Sequence, residues 1–308
     1  MPPSSGRPER DHARGVAYGL AAYLIWGSFP LYIRALAPSG AVEILAERIV
    51  WSLACCLVLL VATRGLPGLW AQLRRPRTLG GLALAGALIS VNWVTYLIAV
   101  TSGRITEAAL GYFLNPLVSV ALGLIVLRER LRPLQAVAVG VGVVAAAVLA
   151  IDAHAVPVIP LALAFSFGTY GLVKNKLGTT LTAVQSLTAE TAVLAPFAAA
   201  AIGLLAAQGE STFGGYGGAH ALLLASTGLM TAVPLLFFAA AARRVTLVTV
   251  GLMQFIAPVL QLLCALAVGE RLSTGRWVGF AVVWLALLLL VADLVRWGVS
   301  TRARARPR

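Results

Sequence analysis

Apolar stretches of 18 residues or more recur along nearly the whole chain, separated by short polar connections. They fall at residues 15–35, 42–63, 79–100, 106–127, 133–151, 157–174, 181–206, 219–242, 246–268 and 274–296. A helix of that length crosses the ~30 Å hydrocarbon layer of a bilayer. Hydrocarbon offers the backbone no water to bond, so helix is the expected form of each stretch. The pattern predicts an all-α integral membrane protein with ten transmembrane helices, short tails and little folded mass outside the bilayer.

The spans are written in two related sets. Residues 107–131 read EAALGYFLNPLVSVALGLIVLRERL, and residues 249–272 read TVGLMQFIAPVLQLLCALAVGERL. Each has a central proline and ends in Glu-Arg-Leu. At the same offset of 142, Asn92 falls on Pro234, Tyr96 on Phe238, Tyr112 on Gln254, Phe113 on Phe255 and Pro116 on Pro258. Slightly shifted offsets set Glu47 on Glu190 and Gly27 on Gly168. Two repeats of five spans follow, at 14–152 and 153–296, flanked by tails at 1–13 and 297–308. An odd number of spans turns the second repeat upside down, the arrangement in which many secondary transporters place a binding site between halves.

Four prolines interrupt these spans. Proline lacks an N–H, so Pro30, Pro116, Pro234 and Pro258 release the carbonyls of Trp26, Tyr112, Met230 and Gln254 from their helical partners. Either a neighbouring helix satisfies each freed carbonyl, giving a fixed kink, or the break is a hinge lining a cavity. The sequence leaves both readings open.

Composition agrees with the pattern: 60% of residues are apolar and 11% charged, against about 25% charged in a soluble domain. The net charge of +13 is placed by topology. With the N-terminus inside, four of the 24 Lys and Arg fall outside (Arg34, Arg104, Arg271, Arg276), Arg48 lies in a span, and the other 19 are cytoplasmic. That asymmetry predicts two cytoplasmic termini in a bacterial-type inner membrane. The basic tails are expected to meet anionic lipid at the cytoplasmic face rather than nucleic acid. Residues 15–35 are too long for a cleaved signal and no small-residue cleavage site follows, so the first span is expected to stay. Cys55, Cys56 and Cys264 fall within apolar spans and read as packing residues.

Several segments carry a specific resemblance: AAYLIWGSFPLY (21–32), EILAERIVWS (43–52), NWVTYLIAV (92–100), residues 107–131 as quoted, AFSFGTYGLVKNK (164–176) and MQFIAPVLQ (253–261). In content and order they resemble the RarD branch of the EamA-type transporters, in the drug/metabolite transporter superfamily, over residues 14–296. The resemblance implies ten helices in two inverted five-helix repeats. It also implies export or exchange of small molecules, including chloramphenicol or related compounds, since family members are often labelled chloramphenicol-sensitivity proteins. The expected function is therefore secondary active transport of drugs or metabolites. The alternatives are an amino-acid or metabolite exporter or exchanger, and a non-transporting membrane scaffold. RarD-like sequences usually carry His-Arg where this chain has Glu47-Arg48.

Ionisable residues deep in a span cost ~2.5–3.5 kcal/mol on insertion scales and mark a pathway or a buried pair. Glu47, Arg48 and Glu190 qualify, with Glu190 a possible counter-charge for Arg48 and Glu47 a candidate for proton coupling. Glu107 and Lys174 sit near span ends, where long side chains reach the interface. Asn92, Asn115 and Gln254 are mid-span amides that either tie helices together or touch substrate. Trp26, Trp51, Trp93, Tyr96, Tyr112 and Tyr170 are candidates for the aromatic wall of a small-molecule cavity. An enzyme is disfavoured. His12, His154 and His220 fall in a tail or loops, and no zinc spacing, P-loop or nucleophile elbow occurs. No cofactor or metal is expected. Gly275-x-x-x-Gly279 permits close helix contact and with it a homodimer.

Overall fold

The computed structural model describes residues 7–128, 133–153, 156–177, 181–242, 244–245 and 253–304. The described residues are helical and turn, with no strand. The helices are α1 (Arg7–Ala35), α2 (Ala41–Ala62), α3 (Leu66–Leu73), α4 (Pro76–Thr101), α5 (Ile105–Leu127) and α6 (Pro133–Ala153). They continue with α7 (Val158–Leu177), α8 (Ala183–Ala207), α9 (Gly217–Ala225), α10 (Thr227–Ala242), α11 (Ile256–Ala267) and α12 (Thr274–Arg304).

Among the described residues, seven helical segments are long and apolar enough to cross a membrane: Asp11–Ala35, Ala41–Ala62, Pro76–Thr101, Ile105–Val126, Ala183–Ala207, Gly217–Ala241 and Thr274–Asp293. Three shorter apolar helices, Pro133–Leu149, Val158–Lys174 and Ile256–Ala267, fall where the remaining expected spans lie. The chain is a multi-pass membrane protein. Its outer surface is correspondingly apolar, with Val58, Ile125, Phe197 and Leu222 all largely exposed to the surroundings.

Several boundaries differ from the hydropathy pattern, because helix continues wherever backbone bonding can. The helix α1 begins at Arg7 and α12 runs on to Arg304, both through polar residues. The connection after α2 folds into α3, which leaves Trp70 mostly exposed beneath Arg74, as expected of an interfacial anchor. The eighth apolar stretch is divided at Ser226 into α9 and α10. His12 and His220 consequently sit in α1 and α9 rather than in a tail or loop, and His154 lies outside the described residues.

Helix ends carry their own chemistry. At the start of α8, Gln185 N donates to Thr182 Oγ1 (3.2 Å) and Thr182 N to Gln185 Oε1 (2.9 Å), a reciprocal cap. The Gln185 amide also donates to the Gly65 carbonyl at 3.0 Å, so α8 starts beside the end of α2. Glycines in the left-handed region close α4 at Gly103 (φ 68) and α11 at Gly269 (φ 90). The second turn sets the Glu270 carboxylate against the start of α5, where it accepts from Ile105 N (2.6 Å) and Thr106 N (2.9 Å).

Packing pairs α2 with α8, α5 with α7, α6 with α12, α4 with α7, and α1 with α10 and α11. One buried cluster joins Phe29, Ile33, Ile44, Tyr96, Leu97, Leu163 and Leu224, from α1, α2, α4, α7 and α9. A Cβ on Gly279 would lie 2.4 Å from Leu149 Cδ2, and one on Gly275 would fall on Asp152. The small-residue motif of α12 thus packs against α6 of the same chain.

Candidate functional site

Arg48 is the centre of the site. It lies seven residues into α2, about 10 Å along the helix from Ala41. Its Nε–H donates to Thr231 Oγ1 of α10 at 2.9 Å. Its guanidinium carbon sits 4.1 Å from the ring centre of Trp93 and 5.4 Å from that of Phe29. Tyr32, Tyr96 and Tyr112 lie within its electrostatic reach. Phe29, Tyr32, Ile44, Arg48, Leu97, Thr227, Met230 and Thr231 line a cavity of about 10 Å³, room for roughly one water. A small-molecule pocket is typically ~300–1,000 Å³, so this conformation is closed around the arginine.

Local sequence explains how the walls converge. Pro30 lies in α1 between Phe29 and the Tyr32 turn, and the carbonyl it frees at Trp26 accepts from Gln261 Nε2 of α11 at 3.3 Å. The Tyr32 hydroxyl reaches the α9–α10 break, donating to the Leu223 carbonyl and pairing with Ser226 Oγ, both at 2.8 Å. Pro234 frees the carbonyl of Met230, a lining residue. Asn92 donates to the Leu163 carbonyl and Ser166 Oγ of α7 (both 3.1 Å) and accepts from Tyr112 OH (3.1 Å). That amide ties helices together beside the chamber. Tyr96 is 2% exposed, and its hydroxyl has no hydrogen-bond partner among the described residues.

The expected Arg48–Glu190 pairing does not form. Glu190 accepts from Lys174 Nζ at 2.6 Å, from Ser186 Oγ at 2.8 Å and from Tyr170 OH at 3.2 Å, and Lys174 also contacts Ser186. The reason is depth. Arg48 and Glu190 are each seven residues into their helices, and α2 and α8 begin at opposite ends of the bundle. Each lies ~10 Å inside its own face, which leaves about 10 Å of a ~30 Å layer between them. At the offset of 142, Glu190 corresponds to Arg48, Lys174 to Tyr32 and Ser186 to Ile44. The Glu190 end thus holds a paired carboxylate and ammonium, whereas the Arg48 end holds an arginine.

The other carboxylates are also engaged away from Arg48. Glu47 Oε2 accepts from Trp51 Nε1 at 2.8 Å, one helical turn on, and Trp51 stacks on Phe213. Glu107 pairs with Arg104 (2.8 Å) and Arg276 (3.6 Å) at the start of α5. Glu43 accepts from Thr212 N (2.6 Å) and Thr212 Oγ1 (2.8 Å), where Thr212 and Ser39 also meet His220 Nε2. Among the described residues Arg48 has no carboxylate partner and its two Nη groups have no acceptor. A buried cation costs ~2.5–3.5 kcal/mol at a helix centre, and a desolvated cation–π contact returns up to ~2.

The remaining sequence candidates are scattered. Trp26 packs with Tyr23 and Phe238, outside the chamber lining. Asn115 is in α5, with an oxygen that has no partner among the described residues. Gln254 is exposed in the turn before α11, and Pro258 is the third residue of that helix, where its missing N–H interrupts nothing. Pro116 is interior to α5, as is Pro196 to α8, which the sequence reading passed over. It also missed Phe29, Tyr32, Thr227 and Thr231. The first two flank Pro30 and were legible from that break, whereas the threonines carry no local signal.

The EamA-like transporter family matches residues 13–151. Protein RarD of Streptomyces exfoliatus is 51% identical over 299 residues, covering 97% of this chain and 94% of its own. The uncharacterized transporter YojE of Bacillus subtilis is 41% identical over 94% of this chain and 97% of its own. A chloramphenicol-sensitive protein RarD of Pseudomonas aeruginosa is 31% identical over 93% and 96%. A solved crystal structure with 20% identity superposes with a TM-score of 0.60, across 91% of this chain and 98% of that one, a likeness of fold.

Proposed function

Because the chain belongs to the RarD branch of the EamA-like transporters, we propose that it is a secondary active exporter or exchanger of small molecules. It works by alternating access between two inverted five-helix halves in a bacterial inner membrane, with both termini cytoplasmic. The observation that carries this reading is the Arg48 chamber. Its walls come from α1, α2 and α4 on one side and from α10 on the other, so moving the halves apart opens it.

The packing supports the inverted repeat. A Cβ on Gly27 would press on Leu260, and one on Gly168 on Val118, and positions 260 and 118 differ by the same 142. The pair α1–α11 thus repeats the pair α7–α5, and the family match at 13–151 coincides with one repeat. Hydrogen bonds accepted by the carboxylates of Glu43 and Glu270 tie together the end of the bundle that the charge pattern assigns to the outside, which suits a state closed outward.

Proton exchange at Glu47, with Glu190 at the other end, would couple the cycle, since a ligand can bias only states it binds differently. The test is flux. Medium from deletion and overexpression strains should show a small-molecule difference, and that compound should exchange across proteoliposomes containing the purified protein. Unchanged media together with no counterflow would favour a scaffold instead.

A further inference from the structure

We infer that the molecule carried is a small organic monoanion, a carboxylate on an apolar or aromatic body, received by Arg48 and the Tyr96 hydroxyl. The inference rests on the transport reading and names the class of substrate that this chamber suits.

Charge decides the first half. Among the described residues Arg48 is the one charged side chain lining the chamber, and no carboxylate among them pairs with it. Glu47, its sequence neighbour, is turned to Trp51, and Glu190 is held by Lys174 near the opposite face. A planar guanidinium with both Nη groups uncommitted matches a carboxylate fork. Tyr96 adds a buried hydroxyl with no protein acceptor among the described residues. Its neighbours Tyr32 and Tyr112 already spend theirs on Leu223 and Asn92.

The walls decide the second half. Phe29, Ile44, Leu97 and Met230 line it with aromatic and apolar surface, Trp93 covers the guanidinium beside it, and Thr231 is occupied by the arginine itself. A zwitterion would bring an ammonium into a chamber lined by no carboxylate. A neutral amide would leave the cation without its counter-charge. A monoanion satisfies both conditions.

The test uses the full chain in lipid nanodiscs and probes of one size: phenylacetate, benzoate and hexanoate as anions, phenylacetamide as neutral, phenethylamine as cation, phenylalanine as zwitterion. At least one anion should raise the thermal midpoint saturably, and the others should do so weakly or not at all. Arg48→Gln should weaken that anion about thirty-fold or more, and Tyr96→Phe about tenfold. If Arg48→Gln yields no folded protein, Tyr96→Phe alone decides, because it must erode the preference for phenylacetate over phenylacetamide. Binding by none of the three anions, equal binding of phenylacetamide or phenethylamine, or a Tyr96→Phe preference unchanged from wild type overturns the inference. Anion binding without flux would remove the transport reading and leave this site. Flux without anion preference would do the reverse.

Discussion

Replacing Lys174 by methionine should cost more stability than replacing Glu190 by glutamine, although both changes break the same ion pair. The asymmetry follows from burial. The Glu190 side chain is 1% exposed and that of Lys174 is 29% exposed. Lys174→Met strands a carboxylate that keeps only the Ser186 and Tyr170 hydroxyls, at 2.8 and 3.2 Å. Breaking a buried pair typically costs ~3–5 kcal/mol, and two surviving donors with the option of protonation reduce this to about 2–3. Glu190→Gln leaves an ammonium on a flexible stem near the end of α7, which can swing to the interface for about 1 kcal/mol. The double variant Lys174→Met/Glu190→Gln should therefore be more stable than Lys174→Met alone, by ~1–2 kcal/mol. Reversible unfolding in nanodiscs of one lipid composition, followed by tryptophan fluorescence, measures all four corners of the cycle. Lys174→Met no less stable than Glu190→Gln, or strictly additive effects, would refute the reasoning.

Gly279→Leu should destabilise the fold by ~1–3 kcal/mol through collision with Leu149, whereas Gly80→Leu, with open space around its Cβ, should stay within about 0.5 in the same unfolding assay. Glu47→Gln should keep counterflow but lose uphill transport driven by a pH gradient in proteoliposomes, and full gradient-driven accumulation would remove Glu47 from coupling. Cysteines placed at Ser5 and Ser300 should resist an impermeant thiol reagent added to intact cells, and labelling of either from outside would reverse the topology.

Membrane residence and the position of the apolar segments among the described residues were legible in the sequence, which is also where the proposed duplication is read. Each rests on local quantities: run length against bilayer thickness, and an offset that can be counted. The same counting picked out Arg48, Trp93 and Tyr96, because a charge or a cluster of aromatics inside an apolar run needs a reason. What it could not supply was partnership. Glu190 looked like a counter-charge for Arg48, yet antiparallel packing of α2 and α8 sets the two at different depths, and Lys174 takes the carboxylate instead. Gly275 and Gly279 permit a close helix contact, and only the fold shows that α6 makes one there. Phe29, Tyr32 and Thr231 entered the site only when helices far apart in the chain met. Which face of a membrane helix looks inward depends on its neighbours, since lipid and protein interior are alike apolar and the one-dimensional pattern does not separate them.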